Sequence, residues 1–122
     1  MTNAYVPSTE DELASLVSDA RDRSVGLDIF GGGTKSAIGR PTNATARVSL
    51  NRITGITLYE PNEMVMSARA GTSLTEIRAA LARGRQMMVF EPAELAGLVG
   101  GDPARATIGG VFATNASGPR RL

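Results

Sequence analysis

Residues 27–36 read LDIFGGGTKS. Val25, Leu27, Ile29 and Phe30 lead straight into three consecutive glycines, and Thr34, Lys35 and Ser36 follow. This spacing predicts a buried strand that leaves its end through a sharp glycine loop. Glycine has no Cβ to hold a ligand away, and successive backbone N–H groups in such a loop can converge on an anion. Lys35 adds a positive charge, and Thr34 and Ser36 add hydroxyl donors. The stretch reads as a cradle for phosphate or pyrophosphate. The alternative is a flexible turn between strands, because short glycine motifs often match by chance.

Two familiar phosphate motifs are excluded. A P-loop needs Gly before the Lys and a second Gly five positions before that one, where this chain has Thr34 and Ile29. A dinucleotide fingerprint needs Gly or Ala at Ser36 and then a helix. Gly39 and Pro41 cannot sustain that helix. A phosphate bound here would rely on loop amides, with no helix following the loop.

The 122 residues allow one domain with a modest core. Net charge is +1, which gives nucleic acid or an anionic membrane no strong field. Arg105, Arg120 and Arg121 are the only hint of a nucleic-acid module, and aromatic residues are scarce. No apolar run is long enough to span a bilayer, and Met1–Tyr5 has neither the basic flank nor the apolar stretch of a signal peptide. There is no cysteine and no histidine. Disulfides and thiolate chemistry are therefore excluded, a metal site is not expected, and the commonest general base is missing. A cytoplasmic protein whose chemistry belongs to a bound cofactor is the simplest expectation. Residues 1–28 carry six acids and two bases, and the rest carries eleven bases and six acids. That asymmetry suits an anionic ligand on the later part, or a solvated charge pattern without consequence.

In chain order, Thr9 with Glu12 forms a capping box for a first helix, whose Leu13, Leu16, Val17 and Ala20 make one stripe expected to be buried. Residues 46–50 predict a second strand. Residues 56–60 and 64–70 predict an antiparallel hairpin turning at Pro61 and Asn62. Ser73 with Glu76 starts a second helix bearing Leu74, Ile77 and Leu81, with Gly84 as its C′ residue. Met87–Phe90 predicts a short apolar strand, its methionines filling core. Residues 94–105 read as loop. Residues 106–118, ATIGGVFATNASG, are small, hydroxyl-rich and nearly uncharged. They could lie flat against a ligand, or form a small-residue helix packed closely on a neighbour.

The order of these parts resembles the FAD-binding domain of the p-cresol methylhydroxylase and vanillyl-alcohol oxidase superfamily (PCMH-type). The matching segments are Pro7–Glu12, FGGGTKS at 30–36, VSLNRITGI at 48–56, ARAGTSLTEIRAAL at 68–81, FEPAEL at 90–95 and ATIGGVFATNASGPRR at 106–121. Within it, AELAGLVGGDPAR before ATIGG, and the ending NASGPRR, are most similar to the FAD-binding subunit of bacterial glycolate oxidase. The resemblance implies an α+β fold, a small mixed β-sheet with flanking helices. It implies that Gly31, Gly32, Gly33, Thr34, Lys35 and Ser36 wrap the FAD pyrophosphate and that Pro92 lies beside the cofactor. Thr107, Ile108, Gly109 and Gly110 would run along pyrophosphate and flavin, and Thr114, Asn115 and Gly118 would approach the isoalloxazine. FAD would be held non-covalently, since the His or Cys tether of some members is absent.

The resemblance further implies an oxidoreductase acting on a 2-hydroxy acid. Its partners would be a second flavin subunit and an iron–sulfur subunit, which could bring it to the inner face of the membrane. No catalytic side chain stands out; Glu91 and Lys35 tempt, but solvated or structural roles suit both. Relatives in that superfamily continue beyond the equivalent of Leu122. Residues 1–122 are therefore expected to be a truncated flavin domain that binds FAD weakly or not at all by itself and catalyses nothing. The rival expectation is a non-catalytic assembly or binding subunit.

Overall fold

The computed structural model describes residues 3–94, 96–115, 117 and 118. Leu95, Ala116 and residues 119–122 of the segments quoted above, including Arg120 and Arg121, lie outside the described residues, as do Met1 and Thr2. Strands β1 (Asn3–Tyr5), β2 (Leu27–Phe30) and β3 (Ala46–Ser49) form a parallel sheet in the order β1-β3-β2. Strands β4 (Ile56–Glu60) and β5 (Val65–Ala68) form an antiparallel hairpin. Parallel and antiparallel pairings thus sit in two separate sheets rather than one mixed sheet. Helices α1 (Glu10–Asp22), α2 (Leu74–Arg83) and α3 (Ile108–Thr114) complete the α+β fold.

The sheet is built around β3, whose Ala46, Val48 and Ser49 are buried. β3 is the central strand, so its backbone is hydrogen-bonded on both sides, and of its four side chains Arg47 remains partly exposed. β2 is an edge strand: Ile29 on it is half exposed and Leu27, Asp28 and Phe30 are only partly covered, so the strand expected to be buried is not. β1 was not foreseen: three residues without a period are too few to signal a strand. It pairs with β3 from Asn3 opposite Ala46 to Tyr5 opposite Val48.

Helix α1 starts as its sequence dictates. The Thr9 hydroxyl accepts from the Glu12 N–H at 3.1 Å, and the Glu12 carboxylate accepts from Ser8 N–H at 2.7 Å, one residue earlier than a standard capping box. Its stripe is covered only at its end: Ala20 is buried, while Leu13 and Leu16 are partly covered and Val17 is exposed. In α2 the Ser73 hydroxyl accepts from Glu76 N–H at 3.1 Å, and Leu74, Ile77 and Ala80 are buried on one face. Gly84 is the C-cap in a right-handed conformation, and Arg85 takes the left-handed position instead (φ 54°). What Gly84 supplies is room, since a Cβ there would collide with the Tyr59 hydroxyl. That hydroxyl donates to Gln86 Oε1 at 2.7 Å, and Gln86 Nε2 donates to the Pro61 carbonyl at 2.6 Å, which fastens the hairpin to the end of α2.

The hairpin reverses through a 3-10 turn at Pro61–Glu63, with Met64 left-handed (φ 54°). Residues 87–90 form no strand. Met88 and Phe90 pack on the cluster of Leu74, Ala106 and Val111, while Met87 and Val89 are exposed. Side chains thus alternate as in a strand, so of the two methionines Met88 fills core, but among the described residues no neighbouring strand supplies backbone partners. Residues 106–118 contain the small-residue helix, α3. Its entry is bonded to the segment before α2: Leu74 N–H to Ala106 O, Ile108 N–H to Thr72 O and Gly109 N–H to Ala70 O, each 2.9 Å. Thr72 is fully buried, donating to Arg69 O at 2.6 Å and accepting from Gly55 N–H at 2.9 Å. This joint carries α3 toward the end of β2.

Candidate functional site

β2 ends at Phe30, and the chain leaves through turns over residues 31–42. Gly31 and Gly32 lie directly against the segment that enters α3. A Cβ on Gly32 would overlap the Arg105 carbonyl, and one on Gly31 would overlap the Thr107 side chain. The two glycine-bearing stretches, more than seventy residues apart in the chain, therefore form one unit. Gly33 has φ 71°, a left-handed conformation that glycine adopts readily.

Between them lies a cleft of about 580 Å³. One wall is the loop with the end of β2, from Asp28 to Thr42. The other is a single face of α3, where Thr107, Gly110, Ala113 and Thr114 recur at helical spacing. No helix follows the loop, as its sequence dictates. A helix from far down the chain forms the opposite wall instead.

The loop N–H groups are the chemically distinctive feature. Ser36 N–H donates to Gly33 O at 3.3 Å and Ile38 N–H to Lys35 O at 3.0 Å. Among the described residues, the N–H groups of Gly31, Gly32, Gly33, Thr34 and Lys35 enter no hydrogen bond within the protein. Lys35 and Arg40 line the same cleft, and among the described residues neither forms an ion pair. The acidic lining residue, Asp28, is paired to Arg47 Nε at 2.9 Å. Unused donors and two cations around an open cleft can hold a polyanion.

On the α3 side the donors are committed. Ile108 and Gly109 N–H groups serve Thr72 and Ala70, Gly110 N–H donates to Thr107 Oγ1 at 3.3 Å, and Thr114 Oγ1 donates to Gly110 O at 2.8 Å. What this wall offers is a smooth surface of small side chains and the remaining hydroxyl capacity of Thr107.

Of the residues singled out in the sequence, Gly31–Ser36, Thr107, Gly110 and Thr114 meet in the cleft. Ile108 and Gly109 face the joint with residues 70–72. Pro92 and Gly118 lie elsewhere: Pro92 bridges Ser117, and Gly118 N–H donates to Glu91 O at 2.7 Å. Pro92 lines a separate depression of about 430 Å³ with Arg78, Gln86 and Met87. Asn115 ends α3 in a left-handed conformation, φ 48°. Sequence reasoning missed Arg40, Thr42 and Ala113. Gly39 and Pro41 signalled a broken helix, but nothing local says that the broken segment lines the cleft. No cluster of three or more metal-ligating side chains exists among the described residues.

The family described as FAD binding domain matches residues 3–122. Glycolate oxidase subunit GlcE of Escherichia coli (strain K12) is 38% identical over 110 residues. That match covers 89% of this chain and 29% of the relative, so the chain spans less than a third of the relative's length.

Proposed function

The chain belongs to the FAD binding domain family, and from that premise we propose that the cleft between residues 28–42 and α3 holds the pyrophosphate of FAD. The observation that carries this is the run of five unused N–H groups from Gly31 to Lys35, flanked by Lys35 and Arg40. They would receive the phosphate oxygens, and the bare surface at Gly110 would let the ligand approach α3 closely. Thr107 and Thr114 would border the path toward the flavin, with Asn115, Gly118 and Pro92 nearer the isoalloxazine. This chain has no His or Cys to tether the cofactor, so its own residues would hold FAD non-covalently.

When bound, the flavin supplies the redox chemistry, and this chain contributes position, polarity and exclusion of water. In the intact protein we assign the activity to oxidation of a 2-hydroxy acid, with a second flavin subunit and an iron–sulfur subunit as partners. The 38% identity to a glycolate oxidase subunit supports that assignment. Among the described residues no helix is long and apolar enough to cross a membrane. We place the assembly in the cytoplasm, reaching the inner face of the membrane through partner subunits. Residues 1–122 are read as the N-terminal part of a PCMH-type domain.

Amide chemical-shift mapping of the 122-residue chain with FAD, carried to millimolar concentration, tests the site. Perturbation concentrated at Gly31–Lys35, Thr107 and Gly110 is expected. Shifts confined to other residues refute it.

A further inference from the structure

The structure places a carboxylate where an anion is to bind. Asp28 lines the cleft three residues before the glycines begin. On its face of the sheet its direct neighbour is Arg47, the register partner on β3. Arg47 Nε donates to Asp28 Oδ2 at 2.9 Å, and its guanidinium carbon lies 4.2 Å from the centre of the Phe30 ring. Asp28 and Phe30 are i and i+2 on β2, so one guanidinium spans both. Neither charged side chain is deeply buried, at 41% exposure for Arg47 and 38% for Asp28. Such a pair adds little to folding. Its placement has an electrostatic consequence instead: it cancels the acidic lining charge facing Lys35 and Arg40.

We propose that Arg47 is a positioning residue for anion binding, which holds Asp28 neutralised against Phe30 and so keeps the cleft cationic. This rests on the reading of the cleft as the pyrophosphate site. Arg47 itself does not line the cleft. It acts through Asp28, whose free charge would repel a polyanion and could capture Lys35 or Arg40.

Inorganic pyrophosphate, titrated into the labelled 122-residue chain at low ionic strength, is the probe. R47M keeps an apolar stem over Phe30 and removes the charge; R47Q does the same with a polar end and serves if R47M does not fold. Each is expected to weaken pyrophosphate roughly three- to tenfold at low salt, with the difference shrinking toward nothing at about 0.5 M salt. The double variant D28N/R47M is expected to recover the parent affinity within about twofold, because the charge Arg47 masks is gone. A purely structural role predicts that the double variant stays as weak as R47M and that salt leaves the gap unchanged; either result overturns the proposal. Unchanged affinity in R47M or R47Q overturns it too, while leaving the cleft assignment intact. A parent chain that shows no pyrophosphate shifts at Gly31–Lys35 overturns the cleft assignment and this inference together.

Discussion

Gly32 lies beneath the carbonyl oxygen of Arg105, so closely that the space of a Cβ is already taken. The glycine is required by packing before any ligand is considered. It brings the end of β2 and the entry to α3 together, and the cleft exists because they meet. Gly32→Ala is expected to lower stability by about 1–3 kcal/mol, the usual cost of forcing extra volume into a close contact. It should also weaken FAD by parting the cleft walls. Chemical denaturation followed by circular dichroism checks the first effect, and a midpoint equal to the parent's would contradict it.

Lys35→Gln and Arg40→Gln separate charge from shape. Both side chains line the cleft, and among the described residues neither forms an ion pair. Removing one surface cation from a polyanion site is expected to weaken FAD by about 1 kcal/mol, roughly fivefold, with little effect on folding. Titration at two ionic strengths is the measurement. An affinity independent of both substitutions and of salt would place the pyrophosphate elsewhere.

Much of this fold was legible before any coordinates. Thr9 with Glu12 and Ser73 with Glu76 announced both long helices, because a cap is a local rule carried by residues three apart. The hairpin announced itself at Pro61 and Asn62. What was not legible depends on partners distant in sequence. Residues 87–90 have a strand's composition, but among the described residues no strand comes alongside, so the segment is coil with only Met88 and Phe90 turned to the core. Asp28 and Arg47 look unrelated until the parallel register sets them side by side. The same holds for the cleft: both glycine stretches were visible, but Arg40 and Ala113 join it only through the way the loop and α3 face each other.

The Ser73 cap offers a prediction on stability alone. Its hydroxyl accepts from Glu76 N–H, and Ser73 also pairs with Thr107 through the backbone. Ser73→Ala deletes the first contact and keeps the second. Stability is expected to fall by about 0.5–2 kcal/mol with FAD shifts unchanged. A variant that keeps its denaturation midpoint would show that the backbone pairing alone starts α2.

The neighbouring glycines of α3 provide the sharpest comparison. Both lie in the first turn of the same short helix, directly after the Thr107 cap and Ile108, so replacing either by alanine removes at most the about 1 kcal/mol that glycine costs in a helix interior. Their surroundings differ. A Cβ at Gly109 would lie 2.7 Å from the Ala70 carbonyl oxygen and 2.8 Å from the Ala70 Cβ, at the joint that orients α3. A Cβ at Gly110 would find only Thr107 Oγ1, at 3.5 Å, and would otherwise project toward the cleft. Gly109→Ala is therefore expected to destabilise the chain by about 1–2 kcal/mol net, because steric overlap with backbone outweighs the propensity gain. Gly110→Ala is expected to stabilise it, by up to about 1 kcal/mol. Enlarging the second position further reverses the benefit for the ligand only: Gly110→Val should fold and yet lose FAD, because its branches occupy the surface the pyrophosphate approaches. Denaturation midpoints and FAD-induced amide shifts on the three variants decide the matter. If Gly109→Ala proves as stable as Gly110→Ala, the close approach of α3 to Ala70 is not what fixes the helix. If Gly110→Val binds FAD like the parent, this face of α3 is not the wall of the cofactor site.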